Sequence, residues 1–306
     1  MSPDPEAAAR ALRAGDLAIL PTETVYGLAA DAGNPLAIAR VFEAKGRPRF
    51  NPLIAHVADI DAARRIGAFD PFAEALAQAF WPGPLTLVVS FIGGDAVCDL
   101  ARAGLESVAI RVPAHPLAQE VLAAFDGPVC APSANRSGRP SPTTFADAVE
   151  ETGAAATVSL DGGACAVGLE STVLSVIGGV VRLLRPGGVE RAAIEAIAGP
   201  LLGADANAHR SPGRLALHYA PNAPVRLNAV SAEAGEVLIG FGNVAGSADL
   251  NLSPSGDLRE AAANLFAYLR AADRLTPTAI ALAPVPVHGL GEAINDRLKR
   301  AAGFVG

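Results

Sequence analysis

Residues 45–53 (KGRPRFNPL) contain the residue types best suited to binding an anionic ligand. Lys45, Arg47 and Arg49 stand at alternate positions of a predicted loop that also carries glycine and proline. Lysine and arginine bind phosphate through charge, and arginine adds a planar fork that matches two oxygen atoms. The formal net charge is −7, so this cationic loop indicates a bound polyanion, most simply a nucleoside triphosphate. An ordinary solvated loop is the alternative.

Two further polar residues lie on predicted strands. His56 follows the cationic loop on strand 53–57, where a histidine is more often a satisfied core residue than a catalyst. Arg111 lies within the apolar strand 107–112 (SVAIRV). A buried arginine needs a partner because an unpaired buried charge is costly. That partner is either an internal carboxylate, such as Glu23 or Glu170, or the carboxylate of a small ligand.

Two loops supply polar donors beside these strands. Residues 131–141 (APSANRSGRPS) combine hydroxyls, an amide and two arginines, which suits contacts to phosphate or a nucleoside. Residues 161–172 (DGGACAVGLEST) carry glycines that allow a ligand to approach the backbone. The Walker and Gly-x-Gly-x-x-Gly patterns are absent, as are triad and zinc spacings. Catalysis by positioning and charge neutralisation therefore fits better than a covalent nucleophile.

Composition bounds the class of protein. A chain of 306 residues with 51% apolar and 5% aromatic residues favours a two-domain α/β protein. The acidic balance argues against stable nucleic-acid binding. We expect a cytoplasmic protein, because no signal peptide or membrane-spanning run is visible and the three cysteines lack metal spacing.

Strands alternate with helices along the first 200 residues, which predicts an open α/β sheet with ligands at strand ends. A predicted hairpin, residues 171–184, makes the sheet mixed. The predicted domains are 1–200, a linker or lid at 201–224, and a smaller α/β domain at 225–306, with strands at 236–241 and 279–282 and helices at 257–274 and 291–302.

Six segments in this order resemble the YrdC-like threonylcarbamoyl-AMP synthase family. The matching motifs are PTETVYGL (21–28), KGRPRFNPL with His56, WPGPLTLV (81–88), SVAIRVP (107–113), PSAN with 137–141, and GLESTV (168–173) with RPG (185–187). The chain also resembles the long form of the family, through SPGRLALHYAP (211–221) and GLGEAINDRLKRAA (289–302). Residues 214–217 depart from the fuller SPGMKYRHYAP linker, which puts any contact of those side chains in doubt.

The resemblance implies a YrdC-like open twisted mixed sheet plus a small Rossmann-like C-terminal domain. It also implies that L-threonine, bicarbonate and ATP give threonylcarbamoyl-AMP and pyrophosphate, with Mg²⁺ accompanying ATP and no organic cofactor. A separate transferase complex then uses the product to make threonylcarbamoyladenosine in tRNA. The alternative is a double-stranded RNA or tRNA-binding module without catalysis, although tRNA binding is expected to be weak.

The same resemblance implies roles for individual residues. Lys45 and Arg47 are the implied catalytic residues. Threonine is surrounded by Thr24, His56, Arg111, Ala131 and Ser171. ATP is contacted by Lys45, Arg47, Asn51, Ser107, Ser133, Ser141, Arg185 and Tyr219. On this basis Arg111 meets the carboxylate of the amino acid, no protein-bound metal is expected, and Tyr219 closes the pocket from the linker.

Overall fold

The computed structural model describes residues 4–48, 50–203, 218–243 and 248–303. The helices in these ranges are α1 (Pro5–Arg13), α2 (Pro35–Lys45), α3 (Ile60–Arg64), α4 (Pro71–Phe80), α5 (Asp99–Arg102), α6 (Pro116–Phe125), α7 (Phe145–Thr152), α8 (Arg191–Ala198), α9 (Leu258–Arg274) and α10 (Gly291–Ala301). A turn of 3₁₀ helix (Gly153–Ala155) follows α7.

The strands in the same ranges are β1 (Ala18–Leu20), β2 (Gly27–Asp31), β3 (Ile54–His56), β4 (Gly67–Ala68), β5 (Leu85–Phe91), β6 (Ser107–Arg111), β7 (Val129–Cys130), β8 (Val158–Ser159), β9 (Thr172–Ile177), β10 (Val180–Arg185), β11 (Leu202–Gly203), β12 (Val225–Arg226), β13 (Val237–Gly240), β14 (Leu250–Asn251) and β15 (Ile280–Leu282).

The larger sheet has the order β11-β10-β9-β5-β6-β3-β7-β2-β1-β8, with β4 paired to β5. It is mixed: β3 runs parallel to β6 and β5 parallel to β9, whereas β9 and β10 form an antiparallel hairpin. The predicted open mixed sheet is confirmed. The register of β3 on β6 pairs His56 with Arg111, so both side chains reach the same edge of the sheet.

Helix α2 carries the first part of the cationic segment. The Asn34 side chain caps its start by accepting the backbone N–H groups of Leu36 and Ala37. Its end is fixed by Gly46, whose φ of 58° is a left-handed conformation that glycine adopts without steric cost. Lys45 is therefore the last helical residue, and the chain turns there into the loop before β3.

The smaller sheet has the order β12-β15-β13-β14 with all pairs parallel, and helices α9 and α10 pack beside it. Its hydrophobic core also takes in Val25, Leu169 and Tyr219, which lie outside this sheet in the sequence. The two parts of the chain thus share one hydrophobic cluster. The residues that the larger part and the linker contribute to it lie between β1 and β2 (Val25), before β9 (Leu169) and in the linker (Tyr219).

Ion pairs reinforce this contact along one face of α9. Arg270 Nη1 lies 3.0 Å from Glu151 Oε1, and both side chains are almost fully buried. Arg274 Nη2 lies 2.5 Å from Asp147 Oδ1 on α7. Helix α9 is thereby fixed to the segment that follows the Ser- and Asn-rich loop, whose residues border the candidate site.

Candidate active site

A cavity lies where β3, β6 and β10 end and β9 begins, and its volume is about 50 Å³. Most of the predicted site residues line it. They are Thr24, Arg47, His56, Arg111, Ala131, Ser133, Ser171, Arg185 and Tyr219. The strand order explains this assembly, because the sheet brings residues that are far apart in sequence to one edge.

Arg111 is the last residue of β6 and is buried. Its Nη2 donates to Glu23 Oε1 at 2.6 Å, and its Nη1 donates to Thr24 Oγ1 at 2.9 Å. The Nε group donates to the Gly83 carbonyl oxygen at 3.2 Å. The internal partner is therefore Glu23, one of the alternatives open at the sequence level. A guanidinium has five N–H bonds, so one remains on each Nη for a ligand.

Glu23 balances this charge. Burial raises the pKa of its carboxyl, but the charge of Arg111 and hydrogen bonds from Arg111 and the Ala114 N–H outweigh burial and leave the pKa below its ordinary value. Glu23 Oε2 accepts the Ala114 N–H at 3.0 Å. The pair is therefore ionised at neutral pH and carries no net charge, and both carboxylate oxygens of Glu23 are engaged.

His56 presents a neutral imidazole to the same part of the cavity. Burial, with a smaller effect of the Arg111 charge, lowers its pKa to about 3. Its buried Nδ1 has no hydrogen-bond partner among the described residues. A buried polar atom without a partner is uncommon in native structures, so His56 is not the satisfied core histidine that base rates favour.

Arg47 and Arg185 also line the cavity. Arg47 donates to the carbonyl oxygens of Pro52 at 3.2 Å and Asn51 at 3.4 Å, and Arg185 Nη2 donates to the Ser171 carbonyl at 2.8 Å. Burial, with the charge of Arg185, lowers the pKa of Arg47 to about 10. In the described ranges neither forms an ion pair with a carboxylate, so both are available to an anion.

Hydroxyl groups also line the cavity. Ser171 Oγ lies 2.7 Å from Thr86 Oγ1 and 3.3 Å from Arg185 Nη2. Ala131 and Ser133 follow β7 on the facing loop, and Ser133 forms an isolated β-bridge with Gly27. A ligand that contacts both Arg111 and Arg185 would therefore also meet the polar side chains of Ser133 and Ser171.

Lys45 supports the facing loop instead of lining the cavity. Its buried ammonium donates to the carbonyl oxygens of Ser133 and Asn135. Its own carbonyl oxygen accepts the Ser137 N–H at 2.7 Å. Lys45 thus fastens residues 133–137 to the end of α2. The predicted direct contact of Lys45 with phosphate stays a prediction; in this structure its ammonium contacts the Ser133 and Asn135 carbonyl oxygens. Arg49 lies outside the described residues.

Three other predicted ATP contacts do not line the cavity. Ser107 begins the five-residue strand that Arg111 ends, so the two lie ~13 Å apart, and Ser107 lines a separate hollow with Ser90 and Glu106. Ser107 thus does not line the cavity with Arg111, and its contact with ATP stays a prediction. Asn51 is buried, and its Oδ1 has no partner in the described part of the chain. Ser141, the third, is fully buried and donates its hydroxyl to Glu170.

Glu170 joins the site to the C-terminal part of the chain. Its Oε1 accepts the Ser141 hydroxyl at 2.5 Å and its Oε2 accepts Arg297 Nε at 2.8 Å. Burial raises the pKa of Glu170, but the charges of Arg297 and Arg185 outweigh it and lower the pKa overall. The sequence analysis considers Glu170 as a partner of Arg111, whereas its partner here is Arg297. Arg297 is not among the predicted site residues, and only its position in the GLGEAINDRLKRAA segment could have indicated a role.

His218 and Tyr219 line the cavity from the end of the predicted linker. Their ring centroids lie 3.9 Å apart in an edge-on arrangement, and Tyr219 packs 5.3 Å from Phe266 of α9. Burial lowers the pKa of His218 to about 3. The sequence prediction named Tyr219 but not His218. Residues 204–217, which include Ser211 and the altered stretch 214–217, lie outside the described residues.

The whole chain is similar to proteins of one family. A family profile described as "Telomere recombination" (Sua5_yciO_yrdC) matches residues 10–187, and one described as "Threonylcarbamoyl-AMP synthase, C-terminal domain" matches residues 189–303. A threonylcarbamoyl-AMP synthase of Bacillus subtilis is 39% identical, over 97% of this chain and 92% of its own. The chain belongs to the threonylcarbamoyl-AMP synthase family.

Solved structures of this family have the same fold. Pyrococcus abyssi Sua5 complexed with L-threonine gives a TM-score of 0.89 at 36% identity, covering 98% of this chain and 94% of that one. Escherichia coli YciO, at 19% identity and a TM-score of 0.52, shares the fold of the larger part, since 61% of this chain is covered. The long two-domain form of the family inferred from the sequence is thus confirmed.

No group of three or more histidine, cysteine, aspartate or glutamate side chains is arranged to hold a metal ion in the part that the structure describes. Within those same ranges, none of the helices combines the length and apolarity needed to cross a membrane.

Proposed function

We propose that this chain is an L-threonylcarbamoyladenylate synthase, which makes threonylcarbamoyl-AMP and pyrophosphate from L-threonine, bicarbonate and ATP. One observation carries the proposal: a single cavity holds the Glu23-paired guanidinium of Arg111 and the two arginines without carboxylate partners, Arg47 and Arg185. The first suits a small zwitterion, and the others suit a polyphosphate. Relatives named for this activity, similar over nearly the whole chain, support it.

In this proposal threonine binds at the Arg111 end. Its carboxylate takes the two N–H bonds that Arg111 leaves unused, while Thr24, Ser171 and the backbone at Ala131 border its side chain. The neutral imidazole of His56 supplies one acceptor nitrogen. A site built around the threonine hydroxyl rejects valine, because a buried polar group left unpaired costs about 1–3 kcal/mol.

The reaction then needs no protein nucleophile. The free amine of threonine adds to carbon dioxide derived from bicarbonate and loses a proton, which gives a carbamate. A carbamate oxygen attacks the α-phosphorus, the bond to the bridging oxygen breaks, and pyrophosphate leaves with that electron pair. Arg47 and Arg185 neutralise the charge that develops on the leaving group. Positioning of the two substrates lowers the rest of the barrier.

The nucleotide is held by the loop after β7. Ser133 lines the cavity, and Lys45 fixes its backbone, so Lys45 acts through the loop. Ser141 and Asn51 are proposed contacts of the nucleotide once it is bound. Mg²⁺ would enter with ATP as part of the substrate and would help to neutralise the charge of the phosphates.

Each of the three proposed parts of the chain has a different role. In this proposal residues 1–200 carry the chemistry, His218 and Tyr219 cover the cavity from the end of the proposed linker 201–224, and Phe266 of the proposed domain 225–306 packs against Tyr219. A covered site is useful because a carbamate decomposes in water. The product passes to a separate transferase that modifies adenosine in tRNA, and we expect only weak binding of tRNA by this chain.

The test is pyrophosphate release from ATP and bicarbonate with each amino acid supplied in turn. We expect stimulation by L-threonine, much weaker stimulation by serine or valine, and a bicarbonate requirement. A chain that releases no pyrophosphate with threonine, while binding tRNA tightly at moderate salt, would contradict the proposal and favour the RNA-binding alternative.

A further inference from the structure

Arg297 is a fully buried cation that the proposed reaction does not use. It lies on α10 in the GLGEAINDRLKRAA segment, and its side chain has 0% exposure. Burying an arginine is costly unless its charge is paired and its N–H groups are bonded. Its position at the inner face of the C-terminal domain therefore requires a function that offsets this cost.

Two of the contacts of Arg297 are with residues that line the cavity, and the third is with its neighbour on α10. Its Nε donates to Glu170 Oε2 at 2.8 Å and its Nη1 donates to Asp296 Oδ2 at 2.6 Å. Its guanidinium carbon lies 5.2 Å from the ring centroid of Tyr219, within the range of a cation–π contact. One residue of the C-terminal domain thus touches two residues that line the cavity.

The negative charge of Glu170 lies beside the proposed phosphate site, and Arg297 pairs with it. Glu170 is the only carboxylate among the described residues that line the cavity. A negative charge there repels the triphosphate that Arg47 and Arg185 attract, and the repulsion is strong in a buried site. Glu170 also holds the Ser141 hydroxyl at 2.5 Å, so its carboxylate cannot turn away without releasing that loop.

We propose that Arg297 is a positioning residue for the ATP site: it cancels the charge of Glu170 and supports the ring of Tyr219, so the C-terminal domain sets the affinity for ATP. This inference rests on the proposed function. Arg297 does not line the cavity itself, and it acts through Glu170 and Tyr219. The small domain is then a source of charge compensation for the nucleotide site as well as a packing partner.

The experiment compares four full-length variants by steady-state pyrophosphate release, with ATP varied at saturating threonine and bicarbonate. R297M removes the charge, and K299M removes a charge from an exposed position on the same helix as the matched control. R297K keeps the charge with fewer donors. The double variant R297M/E170Q removes both charges of the pair, while a glutamine oxygen still accepts the Ser141 hydroxyl. Circular dichroism confirms that each is folded.

We expect R297M to raise the KM for ATP by about 10-fold or more with a smaller change in kcat, R297K to have an intermediate effect, and K299M to match the wild type. The decisive result is that E170Q in the R297M background lowers the KM for ATP again. A purely structural arginine would not be rescued in this way, since a second substitution in the same contact would add to the damage.

Two results overturn the inference: a KM for ATP in R297M that equals that of K299M, or a raised KM that E170Q fails to lower. If R297M does not fold, the double variant alone decides. In it residue 170 is neutral and Asp296 keeps its ion pair with Arg300 at 3.0 Å, so the KM for ATP must stay near that of the wild type. Failure of the proposed function is distinguishable, since the wild type itself would then release no threonine-dependent pyrophosphate.

Discussion

Replacement of Arg111 by lysine separates its two functions, pairing with Glu23 and binding a ligand. Lysine keeps the positive charge, but an ammonium has three N–H bonds and no planar fork, whereas a guanidinium has five. Three donors of Arg111 already serve Glu23, Thr24 and Gly83. We therefore expect R111K to retain the internal ion pair and to lose one or both bonds to the threonine carboxylate.

The magnitude follows from those bonds. A hydrogen bond to a charged group contributes about 1.5–3 kcal/mol, and each 1.4 kcal/mol corresponds to about tenfold in affinity. Loss of one bond thus raises the KM for L-threonine roughly 10- to 150-fold, with the KM for ATP nearly unchanged. R111M in addition leaves Glu23 buried without its partner, which lowers the free energy of unfolding by about 3–5 kcal/mol.

The assay is pyrophosphate release with threonine varied at saturating ATP, together with urea unfolding of each variant. R102K is the matched control, because Arg102 is also mostly buried, pairs with Asp99 and stacks 4.0 Å from the Phe91 ring, away from the cavity. A threonine KM for R111K within about twofold of that for R102K would refute the assignment of Arg111 to the substrate carboxylate.

Three further predictions concern other parts of the site. K45M releases the Ser133 and Asn135 carbonyls, so we expect a higher KM for ATP and a loss of about 1–3 kcal/mol in the free energy of unfolding, measured by kinetics and urea titration. Y219A removes a buried ring, which costs about 3–5 kcal/mol and should strongly lower ATP turnover, whereas Y219F should be stable; normal turnover in Y219A contradicts a covering role. The free energy of unfolding should fall as pH drops below 6.5, because His56, with a folded pKa of about 3, takes up its proton only on unfolding. The expected slope is up to about 1.4 kcal/mol per pH unit. Urea unfolding of H56Q at several pH values is the test, and a slope unchanged from that of the wild type would contradict this role of His56.

Much of the larger sheet follows from sequence patterns. Strands β5 and β6 are rich in β-branched residues, and such runs predict buried strands directly. Strand β2 (GLAAD) was not predicted, because glycine, alanine and aspartate favour strands poorly and only pairing with β1 and β7 makes it one. Two-residue strands such as β8 and β14 likewise form only because a longer strand lies beside them.

The site was predictable in its residue types but not in its contacts. Lys45, Arg47 and Arg185 were recognised as cations, yet their directions depend on how the loops pack, and Lys45 turns toward carbonyl oxygens instead of the cavity. Ser107 is assigned to ATP by the family resemblance alone; it begins the strand that Arg111 ends, and its contact with the nucleotide stays a prediction. The Arg297–Glu170 pair spans 127 positions, and no local pattern encodes a contact at that separation.

The small size of the cavity has a consequence for how substrates are admitted. About 50 Å³ accommodates a few water molecules, far less than ATP and threonine together. Because His218 and Tyr219 are wedged there against the C-terminal core, loading requires those two rings to withdraw, and every measured dissociation constant contains the free energy of that withdrawal. Substitutions at these two rings therefore change the measured affinity through this opening step as well as through direct contacts with the substrates.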